Sequence, residues 1–300
     1  MKKFILVLLL TLVYFACSEK KDEQPVNETK LKRIASVNYP LHYFVTQIGG
    51  NQIDAVYPIP SDVDPAYWEP KAEDIILYQE SDLIILNGAG YAKWVDKVSL
   101  PPSKMINTSL PLQNKYIGLE EGQTHSHGPE GEHEHKGFAF TTWLNFRYAK
   151  IQAEEIKNAL IKLMPENEET FEDNYQILSK EIDDLDKQMN ELANSFSDEI
   201  LLASHPVYQY LSSGYGLNIE SFHWEPDQLP DERMWEDFYN TQSKLKANIM
   251  LWEDVPLPEV KQELLKRGIQ VVVFNPGANT PANGDFLNLM KANIVNLSEL

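Results

Sequence analysis

The chain of 300 residues contains a single cysteine, Cys17, so no internal disulfide can form and stability must come from a conventional apolar core. Basic residues are few: 26 Lys and Arg stand against 45 Asp and Glu, a formal charge of −19 at pH 7. A surface of that sign repels phosphate backbones, which argues against nucleic-acid binding. It also concentrates cations, modestly at physiological salt. Signatures of enzymatic chemistry are missing too. There is no Gly-x-Ser-x-Gly elbow, no phosphate-binding glycine loop and no His-Glu-x-x-His, and the lone cysteine lies in a leader-like segment where it cannot serve as a nucleophile. What remains is ordinary globular composition, 43% hydrophobic and 24% charged, in a chain long enough for two domains of about 100–150 residues.

The N-terminus reads as an export signal. Lys2 and Lys3 precede an apolar run, Phe4 to Phe15, broken only by Thr11. At about a dozen residues the run suits a signal peptide and falls short of the roughly 20 that a membrane span needs. Ala16-Cys17 follows, as in the lipobox of bacterial lipoproteins, which makes Cys17 the expected lipidated residue and 1–17 the leader. A plain secretory leader with a chance cysteine is the alternative. Residues 18–31 (SEKKDEQPVNETKL) have no apolar periodicity and are expected to be a flexible tether.

From residue 32 short apolar runs alternate with helical patterns. Strands are expected at 34–37, 52–57, 83–87 and 105–107, with helices at 40–48, 71–79 and 91–98 between them. A second such series runs from 200 to 293. Between the two series lie a helix ending at Met164 before Pro165 and a long one over 166–194, with Phe171, Tyr175, Leu178, Ile182, Leu185 and Met189 at steps of three or four. The expected fold is α/β: an N-terminal lobe (32–165), a linking helix (166–195) and a C-terminal lobe (196–300), each lobe built on a mainly parallel sheet. Ligands in such folds bind outside the carboxyl ends of the strands, here the cleft between lobes.

Several segments, in order, resemble the zinc/manganese solute-binding proteins of ABC transporters. They are YPLHYFVTQIGGNQIDAVYPIPSDVDPAYWEPKAEDI, ESDLIILNGAGYAKWVDKV, a His-rich loop ahead of Trp143-Leu144, ASHPVYQYLSSGYGLNIESFHWEPDQLP, and FNPGANTPANGDFLNLMKANI. The resemblance implies an exported metal-capture protein, a monomer serving a membrane permease and its ATPase, with zinc as cargo and manganese as the other candidate. It also implies three histidines and a carboxylate as ligands. At those positions this chain carries Ala66, Thr141 and Asn275; only His205 is retained.

Seven histidines are present. His42, His205 and His223 fall after strands, so they could converge as a relocated site, with Glu69 or Glu225 as a fourth donor; nitrogen and oxygen donors of this kind suit zinc and tolerate other divalent ions. Each has a plainer use. His42 could cap a helix, His223 could pack between Phe222 and Trp224, Glu69 and Glu225 could cap the segments after Pro70 and Pro226, and Asn275 could serve a Pro-Gly turn. The loop 119–137 carries His125, His127, His133 and His135 interleaved with glutamates, the composition of a flexible, low-specificity chelator. Two other readings follow: a divergent family member that acts as a metal-chaperone or interaction lipoprotein through the loop alone, or a cleft lined by aromatics such as Trp68 and Trp224 that takes a metal chelate.

Overall fold

A computed structural model describes residues 30–119, 124–126, 132–134 and 137–300. The leader, Cys17 and most of the tether lie outside the described residues, as do His127 and His135.

In the first lobe β1 (Lys32–Ser36), β2 (Ile53–Val56), β3 (Leu83–Leu86) and β4 (Met105–Asn107) form one sheet in the order β2-β1-β3-β4. Every pairing is parallel. Ile34, Ala35, Ile84 and Ile85 are fully buried, as expected of parallel strands covered on both faces. Helix α1 (Tyr39–Gly49) begins where the Asn38 side chain accepts from Leu41 N at 3.2 Å, with Pro40 in its first turn. It stops at Gly50, whose φ of 53° a side chain would resist. Helix α2 (Ala72–Glu80) precedes β3.

Residues Thr124–Ser126 and Glu132–Glu134 form an antiparallel hairpin, β5 and β6, with His125 opposite His133. The sequence reading expects an irregular loop here.

Helix α3 (Phe146–Leu163) is capped by the Asn145 side chain, and Pro165 begins a 3-10 turn leading into α4 (Glu168–Ala193). With 26 residues, α4 is about 39 Å long. It packs on α1 and α3, and farther along on α5 (Gln209–Tyr215) and α8 (Phe286–Ser298), so it spans both lobes.

The second lobe repeats the first. β7 (Ile200–Ala203), β8 (Asn218–Ser221), β9 (Ile249–Trp252) and β10 (Gln270–Val273) form a parallel sheet in the order β10-β9-β7-β8, with α6 (Glu232–Leu245) and α7 (Pro258–Lys266) as crossovers. The last helix, α8, returns toward the first lobe: Phe286 lies 5.9 Å from Tyr43 and 5.4 Å from Phe44, ring to ring. One apolar cluster therefore runs from Ile34 to Leu297 through both lobes, and a smaller one gathers Trp224, Phe238 and Trp252 in the second lobe.

One expected helix differs. Residues 91–98 contain only a 3-10 turn, Lys93–Lys97, because Gly88, Ala89, Gly90 and Ala92 all have positive φ (80°, 53°, 78° and 55°), which no right-handed helix accommodates. In the second lobe α5 starts at Gln209, after a turn in which Val207 N donates to His205 O at 3.0 Å.

Candidate metal-binding cleft

Each sheet reverses its strand order once: between β1 and β3 in the first lobe, between β7 and β9 in the second. Adjacent connections leave such a point in opposite directions, so a crevice opens at the carboxyl ends of the strands. His205 follows β7 and Glu253 follows β9, at the second lobe's reversal point, while the loop Gly88–Ala92 follows β3 at that of the first. Between them lies a cavity of about 1090 Å³.

His205 is nearly buried, and its two nitrogens face different carboxylates. Nε2 lies 3.7 Å from Glu225 Oε1, and Nδ1 lies 3.6 Å from Glu253 Oε1. Across the cavity Asp64 and Tyr67, on the loop after β2, belong to the first lobe. Burial raises the Glu253 carboxyl to about 8, helped by the charges of Glu225, Asp64 and Asp254. Burial also raises the Tyr67 hydroxyl, again with Asp64, Glu225 and Glu253 contributing. The cleft therefore holds an excess of negative potential that a cation would relieve.

The proposed donors divide between the cavity and other surroundings. His205 and Glu225 meet in the cavity. His223 is half-buried and not among the lining residues, with its ring centre 6.2 Å from that of His205 and nearly perpendicular to it. His42 is not among the lining residues. It stacks on Tyr57 at 5.5 Å, and burial lowers its pKa. Its Nδ1 has no hydrogen-bond partner among the described residues. Glu69 is exposed and lies 3.7 Å from Lys97 Nζ on the outer surface. For His125 and His133 only the backbone register is described.

The three positions where the resemblance expects ligands are placed as follows. Ala66 is buried. Thr141 lines the cavity, and its Oγ1 donates to Val207 O at 2.6 Å across the lobes. Asn275 also lines it, and its Oδ1 accepts from Gly277 N at 2.8 Å, the turn-forming use. Further ties cross beside the cavity: Trp143 Nε1 donates to Pro276 O at 2.7 Å, and Asn279 Nδ2 donates to Pro60 O and Val63 O at 2.6 and 2.7 Å. Glu253 escapes sequence inspection because nothing in Trp-Glu-Asp-Val sets it apart from a surface glutamate. The signal that could find it is its place one residue past a buried strand at the order reversal.

Among the described residues, no group of three or more His, Cys, Asp or Glu is arranged to hold a metal ion outright. The geometry shows why. One imidazole cannot offer both nitrogens to one ion, so an ion on Nε2 shares Glu225 and leaves Glu253 behind the ring. A carboxylate on the far nitrogen of a ligating histidine is a common arrangement that orients the ring and raises its basicity.

The profile of the family described as zinc-uptake complex component A, periplasmic (ZnuA), matches residues 34–300. The chain belongs to this family. As a ZnuA-family protein it has curated relatives over nearly all its length. It is 26% identical to the zinc-binding lipoprotein AdcA of Streptococcus pneumoniae strain R6, covering 100% of this chain and 61% of that protein. The chain thus spans about 61% of the length of that relative. It is also 27% identical to the metal ABC transporter substrate-binding lipoprotein SsaB of Streptococcus sanguinis, covering 98% of this chain and 96% of SsaB. The fold matches the metal-dependent lipoprotein YcdH of Bacillus subtilis with a TM-score of 0.76 at 22% identity, over 90% of this chain and 99% of that one. It matches the Zn(II)-bound ZnuA-like domain of S. pneumoniae AdcA equally well, with a TM-score of 0.76 at 22% identity, over 90% of this chain and 98% of that domain. The two parallel-sheet lobes and the long helix are this shared fold.

Proposed function

We propose that this protein captures a divalent transition-metal ion, zinc before manganese, for an ABC importer, and that it acts as a carrier and not as a catalyst. The observation that carries the reading is His205, nearly buried at the carboxyl ends of β7 and β9 with a carboxylate beside each nitrogen. The proposed ligand pair is His205 Nε2 and Glu225, with Glu253 orienting the ring. The names of AdcA and SsaB support zinc and an importer as destination. Its proposed partners are a permease and its ATPase, its state a monomer, and its place the cell envelope, anchored through Cys17.

Calorimetric zinc titration of the full chain tests this. The wild type should show one tight site plus weaker ones, and His205→Ala should remove the tight site. Glu225→Gln should weaken it by roughly 10–100-fold, the range typical of damage close to a metal. Unchanged tight binding in His205→Ala would overturn the site. That result would favour the second reading, capture by the His-rich hairpin alone, to which the alanine at position 66 lends weight. In either case, replacing His125, His127, His133 and His135 should remove only weaker sites.

A further inference from the structure

Nearly every residue from Asn275 to Asn283 lines the cavity, so the link from β10 to α8 forms a strap along one side of it. The strap belongs to the second lobe by sequence and to both lobes by its bonds. At its root Asn275 N donates to Asn293 Oδ1 at 2.9 Å, and Asn293 Nδ2 donates to Asn275 O at 2.7 Å. The first lobe then takes hold: Trp143 Nε1 donates to Pro276 O, and Tyr39 N donates to Ala278 O at 3.0 Å. Beyond that point Thr280, Ala282, Asn283 and Gly284 are exposed. Among the described residues, the Asn279 side chain is the last hydrogen-bonded tie from this tip to the first lobe.

Both donors and both lone pairs of that carboxamide are in use. Nδ2 donates to Pro60 O at 2.6 Å and to Val63 O at 2.7 Å, the two ends of a turn that Val63 N closes on Pro60 O at 3.2 Å. Oδ1 accepts from Tyr57 Oη at 3.0 Å and from Thr280 N at 2.7 Å. Ser61 and Asp62, exposed on the same turn, line the cavity as Thr280 and Asn283 do. Asn279 therefore fastens two segments of the cavity rim to each other, one from each lobe.

The rest of the molecule resists opening. α4 packs on elements of both lobes, α8 reaches back to α1, and one apolar cluster runs through both lobes. Parting the lobes would expose that cluster to water, which is unfavourable in proportion to the area uncovered. Freeing the strap tip exchanges a few bonds at the molecular edge for bonds to water, at small net cost. We propose that Asn279 is a latch on the cleft. It holds residues 279–284 against the turn 60–63, and its release, with the lobes still docked, lets the metal ion in and out. This rests on the metal-capture reading above and concerns how the ion reaches that site.

Stopped-flow zinc binding and chelator-driven zinc release by the full chain test it, in the wild type, Asn279→Ala and Tyr57→Phe. A latch sets the barrier and leaves the metal donors alone. In Asn279→Ala the association and dissociation rate constants should both rise about tenfold, the equivalent of one or two net hydrogen bonds, with the Kd held within about threefold. Tyr57→Phe removes one of the four bonds and should accelerate both steps by less. Anything short of a rise in both rate constants, including faster dissociation alone with a weakened Kd, overturns the latch and leaves the capture reading standing. If Asn279→Ala does not fold, Tyr57→Phe decides by the same criteria. A wild type without tight zinc binding, or tight binding that survives His205→Ala, overturns the capture reading and the latch with it.

Discussion

At the scale of single residues the decisive feature is the pair of carboxylates about His205. Glu253 is held near 8 first by burial, then by Glu225, Asp64 and Asp254. Its folded value exceeds its unfolded one, so the folded state binds the extra proton between about pH 4.5 and 8. That contribution to stability is complete below the unfolded value and is lost as pH rises through the folded one. Without metal, melting temperature should therefore decline from pH 5 to 8, and Glu253→Gln should flatten the decline and raise the melting temperature at pH 8. A Glu253→Gln protein with the wild-type pH profile would show that the carboxyl is already ionised. His42 acts in the opposite sense. Burial lowers its pKa, so protonation of the unfolded chain costs stability as pH falls below about 6.5. Scans of His42→Gln beside Glu253→Gln separate the two.

At the scale of elements, α4 has the largest part. Phe171, Leu178, Ile182, Leu185 and Met189 form a buried stripe that faces both lobes. Leu185→Ala leaves a cavity in a fully buried position and should cost about 3 kcal/mol in urea unfolding. One apolar cluster crosses the lobes, so the loss should appear as a single earlier transition and not as the melting of one lobe. The loop after β3 behaves differently. Ala89 and Ala92 hold φ near 55°, a conformation that costs a non-glycine residue roughly 1–2 kcal/mol. Ala92→Gly relieves that strain and partly offsets it through unfolded-state entropy, leaving a gain of about 0.5–1 kcal/mol. An unfolding measurement showing a loss instead would mean that the alanine methyl packs more tightly than its geometry suggests.

At the scale of the whole molecule, a charge of −19 should draw divalent cations toward the cleft. Stopped-flow zinc association should slow as ionic strength rises, while dissociation changes little. The two lobes, their parallel sheets and the linking helix were legible from the alternation of apolar runs and from the stripe in α4, because burial leaves a period in the sequence. The residue identities at Ala66, Thr141 and Asn275 were legible too, because they are read directly off the sequence. Local pattern misled at residues 91–98, where side chains suit a helix and the backbone does not take one. Which charged groups share the cleft was a tertiary decision. Glu253 and Glu69 are both glutamates next to aromatic neighbours in sequence, yet one ends a buried strand beside His205 and the other pairs with a lysine on the surface. His42 and His205 both follow strands, yet only His205 reaches the cavity. Periodicity specifies which face of an element is buried. The meeting of side chains hundreds of residues apart depends on strand order and lobe docking, which are set by the sum of many packing contacts and leave no local mark.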